Sequence, residues 1–147
     1  MDDIDPERYS SHLPVLRSVI ASVKPERILE FGAGLHSTPL FCKTGARVVS
    51  VEVDPEWRKA IAWECDSPNL VLRSSYEVTP ADYDLIFIDD GESAQQREKT
   101  IRLVLSQPHP VVVIHDAEVP EYRQAIEELA ISHKTYKTDP DTCVVWE

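Results

Sequence analysis

The stretch Ile28-Leu29-Glu30-Phe31-Gly32-Ala33-Gly34-Leu35-His36-Ser37-Thr38-Pro39 decides the fold. Its apolar first part reads as a buried strand. Gly32 and Gly34 make a tight turn, and Thr38-Pro39 opens a helix as cap and first residue. A strand, a glycine turn and a helix in succession make the first unit of a parallel α/β sheet. Such a turn lets a ligand lie against bare backbone and meet the positive end of a helix. Glu30, just before the turn, narrows the ligand. A carboxylate there suits a cation and opposes a pyrophosphate.

Working outward, prolines at 14, 25, 39, 55, 68, 80, 108, 110, 120 and 140 punctuate the chain. Val15 to Val23 has helical apolar spacing, with Pro14 in its first turn. Strands are expected at Arg27 to Phe31, Arg47 to Val53, Leu70 to Arg73, Asp84 to Asp89 and Pro110 to His115. Helices are expected from Asp54-Pro55 to about Cys65, over Glu92 to Leu105 and over Pro120 to Ile131. Two short strands remain, near Lys134 to Lys137 and Thr142 to Trp146. They are too close together for a crossover, so they should form an antiparallel hairpin. Alternating strands and helices imply a doubly wound, mostly parallel sheet with helices on both faces. The runs Leu85-Ile86-Phe87-Ile88 and Val111-Val112-Val113-Ile114 suit central strands.

The chain of 147 residues fits a single domain, with a helical segment over 1–24 and the sheet core over 25–147. Hydrophobic residues make up 42% of it, which argues against disorder. No apolar run is long enough to span a membrane, and the acidic start Met1-Asp2-Asp3-Ile4-Asp5 is not a signal peptide. Cys42, Cys65 and Cys143 are far apart, lack metal spacing and are odd in number, so a reducing, cytoplasmic setting is expected. The net charge of -11 argues against nucleic acid as partner. The basic groups Arg97, Lys99, Arg102 and Arg123, Lys134, Lys137 read as solvated faces.

Ligands of a doubly wound sheet sit beyond the carboxyl ends of its strands. Those ends are Glu30 to Gly34, Glu52-Val53-Asp54, Arg73-Ser74-Ser75, Asp89-Asp90-Gly91 and His115-Asp116. Glu52 follows Gly32 by 20 residues, the spacing of a ribose-binding acid. The third glycine of a dinucleotide fingerprint is absent, since Ser37 stands in its place. With Glu30, that disfavours a nicotinamide-dependent enzyme and favours an adenosine ligand carrying positive charge.

Four motifs at successive strand ends carry a resemblance. Glu30-Phe31-Gly32-Ala33-Gly34, Val51-Glu52-Val53-Asp54-Pro55, Tyr83 to Gly91 and Val113-Ile114-His115-Asp116 resemble the class I S-adenosylmethionine-dependent methyltransferases over nearly the whole chain. The resemblance implies a seven-stranded sheet with a reversed last strand. It also implies that Glu30 and the backbone of Gly32, Ala33 and Gly34 hold the methionine part, with His36, Ser37 and Thr38 beside it. Glu52 would hold the ribose and Val53 would pack on the adenine. Ser74 or Ser75 would replace the acid usually found near the adenine amino group. S-adenosylhomocysteine would be the product.

The acceptor side falls to Asp89, His115 and Asp116, which could position or deprotonate a nucleophile, with Asp89 also near the cofactor. The competing readings are structural: turn caps for Asp89 and Asp116, and a hydrogen-bonded strand end for His115. An Asp/His/Asp set could also bind a divalent cation, as in catechol-type O-methyltransferases. The rest of that ligand set is not evident, and no metal is expected. Ser11-His12 read as a helix cap or as a flap over the cofactor, and Trp57 and Trp63 read as core. Acids ending buried strands need a partner, and for Glu30 and Glu52 the expected partner is the ligand. The expected activity is methylation of a small molecule or a protein side chain. A non-catalytic cofactor-binding module is the alternative. With little chain left for a cap, the site should be open or completed by a second copy, as in a homodimer.

Overall fold

The computed structural model describes residues 12–91, 93–138 and 140–146. Ser11 and Glu92, named above, lie outside them. Among the described residues seven strands form one sheet: β1 (Arg27–Phe31), β2 (Arg47–Val51), β3 (Leu70–Arg73), β4 (Leu85–Ile88), β5 (Val111–His115), β6 (Ser132–Tyr136) and β7 (Thr142–Trp146). Their order is β3-β2-β1-β4-β5-β7-β6. β1 to β5 pair in parallel. β7 runs against both β5 and β6, which makes the expected hairpin. The order reverses between β1 and β4, and a doubly wound sheet opens its ligand crevice at such a point.

Among the described residues five α-helices cover the sheet: α1 (Leu13–Val23), α2 (Ser37–Cys42), α3 (Pro55–Cys65), α4 (Ala94–Leu105) and α5 (Pro120–Leu129). A single 3-10 turn, Pro80–Asp82, stands between β3 and β4. On one face, Leu29, Phe31, Ile86, Ile88, Val112 and Ile114 pack against Ile101 and Val104 of α4 and Tyr122, Ala125 and Ile126 of α5. On the other, Ile28, Val48, Leu85, Phe87 and Val113 pack against Val15, Leu16 and Phe41. β4 is buried at all four positions, as its unbroken apolar run requires.

Local chemistry sets most of the element ends. Asp54 accepts from the backbone N–H of Glu56 and Trp57 and caps α3, with Pro55 next. Ser93 caps α4 in the same way through Gln96. The expected cap at Thr38 is a correction. α2 begins at Ser37, with no side-chain cap bond at His36. The Thr38 hydroxyl is bound to Glu30 instead. The two tryptophans are a second correction. Trp63 is 85% exposed and Trp57 is half-buried, so neither is core. The three cysteines are free. No helix among the described residues is long and apolar enough to cross a membrane.

Candidate active site

The glycine turn is held from behind. Glu30 is fully buried and accepts hydroxyl hydrogen bonds from Ser37 (2.5 Å), Thr38 (2.5 Å) and Ser50 (2.7 Å). Burial pushes its carboxyl up to about 7, although the three hydroxyls pull the other way. The backbone N–H of Gly34 donates to the Thr38 hydroxyl at 3.0 Å. Ser37 and Thr38 are therefore committed to Glu30. The partner that a buried acid demands is supplied by the protein, which corrects the expectation that a ligand would supply it. No sequence pattern marks Ser50 as that partner, because it reaches Glu30 across the β1–β2 pair.

Gly32 serves a close approach. Its φ is +86°, and a Cβ placed there would lie 2.3 Å from the carbonyl oxygen of Asp89 and 2.6 Å from Cα of Asp90. Glycine lets the backbone after β1 touch the backbone after β4.

In front of the turn lies a cleft of about 450 Å³, lined by Gly32, Ala33, Glu52, Val53, Asp54, Trp57, Asp89 and Gly91. Glu52 accepts from the backbone N–H of Asp54 through Oε2. Trp57, in the first turn of α3, fixes the wall by donating Nε1–H to the carbonyl of Ala33 at 2.6 Å. The three ionisable side chains of this wall are all carboxylates. Asp54 and Gly91 belong to the strand ends expected to face a ligand, whereas Trp57, read as core, is a lining residue that the expected motifs did not mark. The signal for Trp57 was its place three residues after the cap that follows β2. His36, Ser74 and Ser75 are exposed and stand outside this lining. The Ser75 hydroxyl accepts from the N–H of Glu77.

The ends of β4 and β5 build a second, acidic notch beside the cleft. Arg97 of α4 reaches into it and is almost fully buried, which corrects its reading as a solvated residue. Its Nε donates to the carbonyl of Asp90 at 2.7 Å, and its Nη2 lies 3.2 Å from Asp89 Oδ1. Its Nη1 donates to Asp116 Oδ2. Asp90 is buried and accepts from the hydroxyls of Tyr76 and Thr100. Burial pushes the Asp89 carboxyl up to about 8, against the pull of Arg97 and with Asp116 adding to the rise. Asp89 still keeps 28% of its side chain exposed. His115 is buried with its pKa lowered by that burial, so it is neutral at pH 7. Its ring centroid stands 4.6 Å from that of His12, which stacks on Phe87. Burial holds His12 down to about 3, with His115 adding to the effect. Nδ1 of His115 and both nitrogens of His12 lack a hydrogen-bond partner among the described residues. His12 precedes α1 with no side-chain cap bond, so the expected cap is not formed. Asp89, His115 and Asp116 each bring one ligand atom within 4.8 Å of the others.

The sequence matches no family model and no curated protein. Its fold matches solved structures. The methyltransferase domain of bacterial CtHen1-C superposes with a TM-score of 0.67 at 13% identity, covering 94% of this chain and 97% of that one. The N-methyltransferase NodS from Bradyrhizobium japonicum, solved with S-adenosyl-L-homocysteine, gives 0.68 at 16% identity, covering 97% and 87%. The T. thermophilus 16S rRNA N2 G1207 methyltransferase, solved with S-adenosylmethionine and guanosine, gives 0.72 at 18% identity. There 99% of this chain covers 44% of the other.

Proposed function

We propose that this chain, which folds like the class I methyltransferases, binds S-adenosylmethionine and transfers its methyl group to a small molecule or a protein side chain. One observation carries the reading. The cleft beside the glycine turn is walled by Glu52, Asp54 and Asp89 with no basic side chain among its lining residues. A sulfonium and an ammonium fit that wall, whereas a pyrophosphate needs donors and positive charge. When bound, the cofactor supplies a methyl group on an activated sulfonium. Glu52 accepts the ribose hydroxyls. The backbone of Gly32, Ala33 and Gly34 lines the methionine end, and Val53 and Trp57 flank the adenosine. Asp89 borders both cleft and notch, and His115 and Asp116 complete the acceptor side. Neutral His115 has a lone pair for a proton that the acceptor gives up.

Calorimetry with S-adenosylhomocysteine, S-adenosylmethionine and NAD tests the reading. Binding of the first two and not of NAD is expected, and the reverse would end it. Glu52→Ala should weaken S-adenosylhomocysteine at least about tenfold, the worth of a charged hydrogen bond. Unchanged affinity would remove Glu52 from the ribose.

A second reading, a cofactor-binding subunit that leaves catalysis to a partner, has one observation in its favour: Arg97 already engages both Asp89 and Asp116. Binding of the cofactor together with inactivity across broad acceptor pools would select it.

A further inference from the structure

The notch between β4 and β5 has the donor geometry of a cation site. Asp89, His115 and Asp116 present ligand atoms within 4.8 Å of one another, and carboxylates with an imidazole are a donor set for divalent metals. A metal must share that space with Arg97. The guanidinium stands between the two carboxylates, on Asp89 through Nη2 and on Asp116 through Nη1. Its side chain is 9% exposed. It is also fixed from outside the pair. Nε is tied to the carbonyl of Asp90, and Cζ lies 5.5 Å from the centroid of the Tyr122 ring. Asp116 holds its side of the pair with a φ of +59°, a left-handed conformation that a non-glycine residue adopts against steric resistance. A divalent ion on the same oxygens would sit against a buried guanidinium that its other contacts hold in place, and like charges repel strongly in a partly dry site. The residues present do not fit a metal while Arg97 is in place.

We propose that Arg97 is the resident cation of this site, a positioning residue whose guanidinium takes the place a divalent metal would hold between Asp89 and Asp116. It neutralises the acids and fixes the end of β4 against the end of β5. On the methyltransferase reading, the acceptor then has no metal to chelate. It presents a single hydroxyl or amine to His115 and the outward oxygens of Asp89 and Asp116, not a pair of neighbouring oxygens.

The test is Mn2+ binding to the purified whole protein, followed by calorimetry and by the spin-resonance signal of free Mn2+. Wild type and Arg97→Lys are expected to bind no ion at millimolar Mn2+. Arg97→Met should gain a site for one ion per chain, and the double variant Arg97→Met/Asp116→Asn should lose it. A wild-type site abolished by Asp116→Asn would overturn the proposal. So would an Arg97→Met protein that folds, by circular dichroism, and gains no site. If Arg97→Met does not fold, the wild type and Arg97→Lys decide: no binding supports the assignment and binding overturns it. S-adenosylhomocysteine affinity, measured with and without EDTA, separates the two readings. Its absence would sink the methyltransferase reading and leave the Mn2+ result standing, whereas loss of affinity in EDTA alone would sink the role of Arg97.

Discussion

Glu30 has no solvent contact and three hydroxyl donors, and it joins the start of α2, the glycine turn and β2 through one carboxyl. Burial lifts that carboxyl from its ordinary value near 4.5 to about 7. The native state therefore keeps the proton to a higher pH than the unfolded chain does. The unfolded chain binds fewer protons between those values, so stability falls as pH rises through that window, by about 3 kcal/mol when complete. Glu30→Gln has no such titration. Urea midpoints at pH 5 and pH 8 should fall less for the variant than for wild type, and equal slopes would assign the pH dependence elsewhere. Asp89, raised to about 8, adds a slope of the same sign that both proteins share. His12, held near 3, adds the opposite one below its ordinary value of 6.5. At this scale the sequence was legible in part. Glu30 and Glu52 stand out as acids ending strands. Whether such an acid faces a ligand or a set of hydroxyls depends on Ser50, which only the sheet register brings within reach. Arg97 was not legible either. It lies in the first turn of a polar helix, and nothing local distinguishes a side chain folded back onto two strand ends from one in water.

Elements were the easier level. Asp54-Pro55 and the unbroken apolar runs of β4 and β5 place α3 and the sheet centre, because caps and burial are local properties. Of the two terminal strands, Thr142–Trp146 falls where expected, whereas the expected Lys134 to Lys137 falls at Ser132–Tyr136. β6 lies at a sheet edge with no buried position and no strict alternation, so no apolar pattern fixes its ends. The caps carry a prediction. Asp54→Ala removes the acceptor for the N–H groups of Glu56 and Trp57 and should cost about 1 kcal/mol of stability. Through Trp57 it should also loosen the cleft wall, seen as weaker S-adenosylhomocysteine binding in calorimetry. Gly32→Ala is a harsher change. The added methyl meets backbone 2.3 Å away, and φ is already left-handed. About 3 kcal/mol or more of destabilisation is expected, read from thermal or urea unfolding. A mild effect would mean that the β1 and β4 ends can part.

For the molecule as a whole, the decisive fact is where the sheet reverses. β1 and β4 lie side by side at the centre, so the glycine turn and the acids after β4 face one crevice although more than fifty residues separate them. The alternation of strands and helices made a doubly wound sheet with a terminal hairpin legible, but which strands lie side by side is a tertiary fact that no local pattern carries. The hairpin closes the other side. β7 covers the edge of β5 along Val112 to His115 and is itself buried at four positions. Removing residues 131–147 would bare an apolar β5 edge, so the truncated protein should aggregate or lose cooperative unfolding on gel filtration and thermal melts. The backbone contact of Gly32 with Asp89 and Asp90 also sets rules for redesign. It gauges the spacing of the two half-sites to within a methyl group. A new specificity loop grafted after β4 would have to begin beyond Asp90. An insertion ahead of that point would need a matching change in the turn after β1, so the two loops can be re-engineered only as a pair.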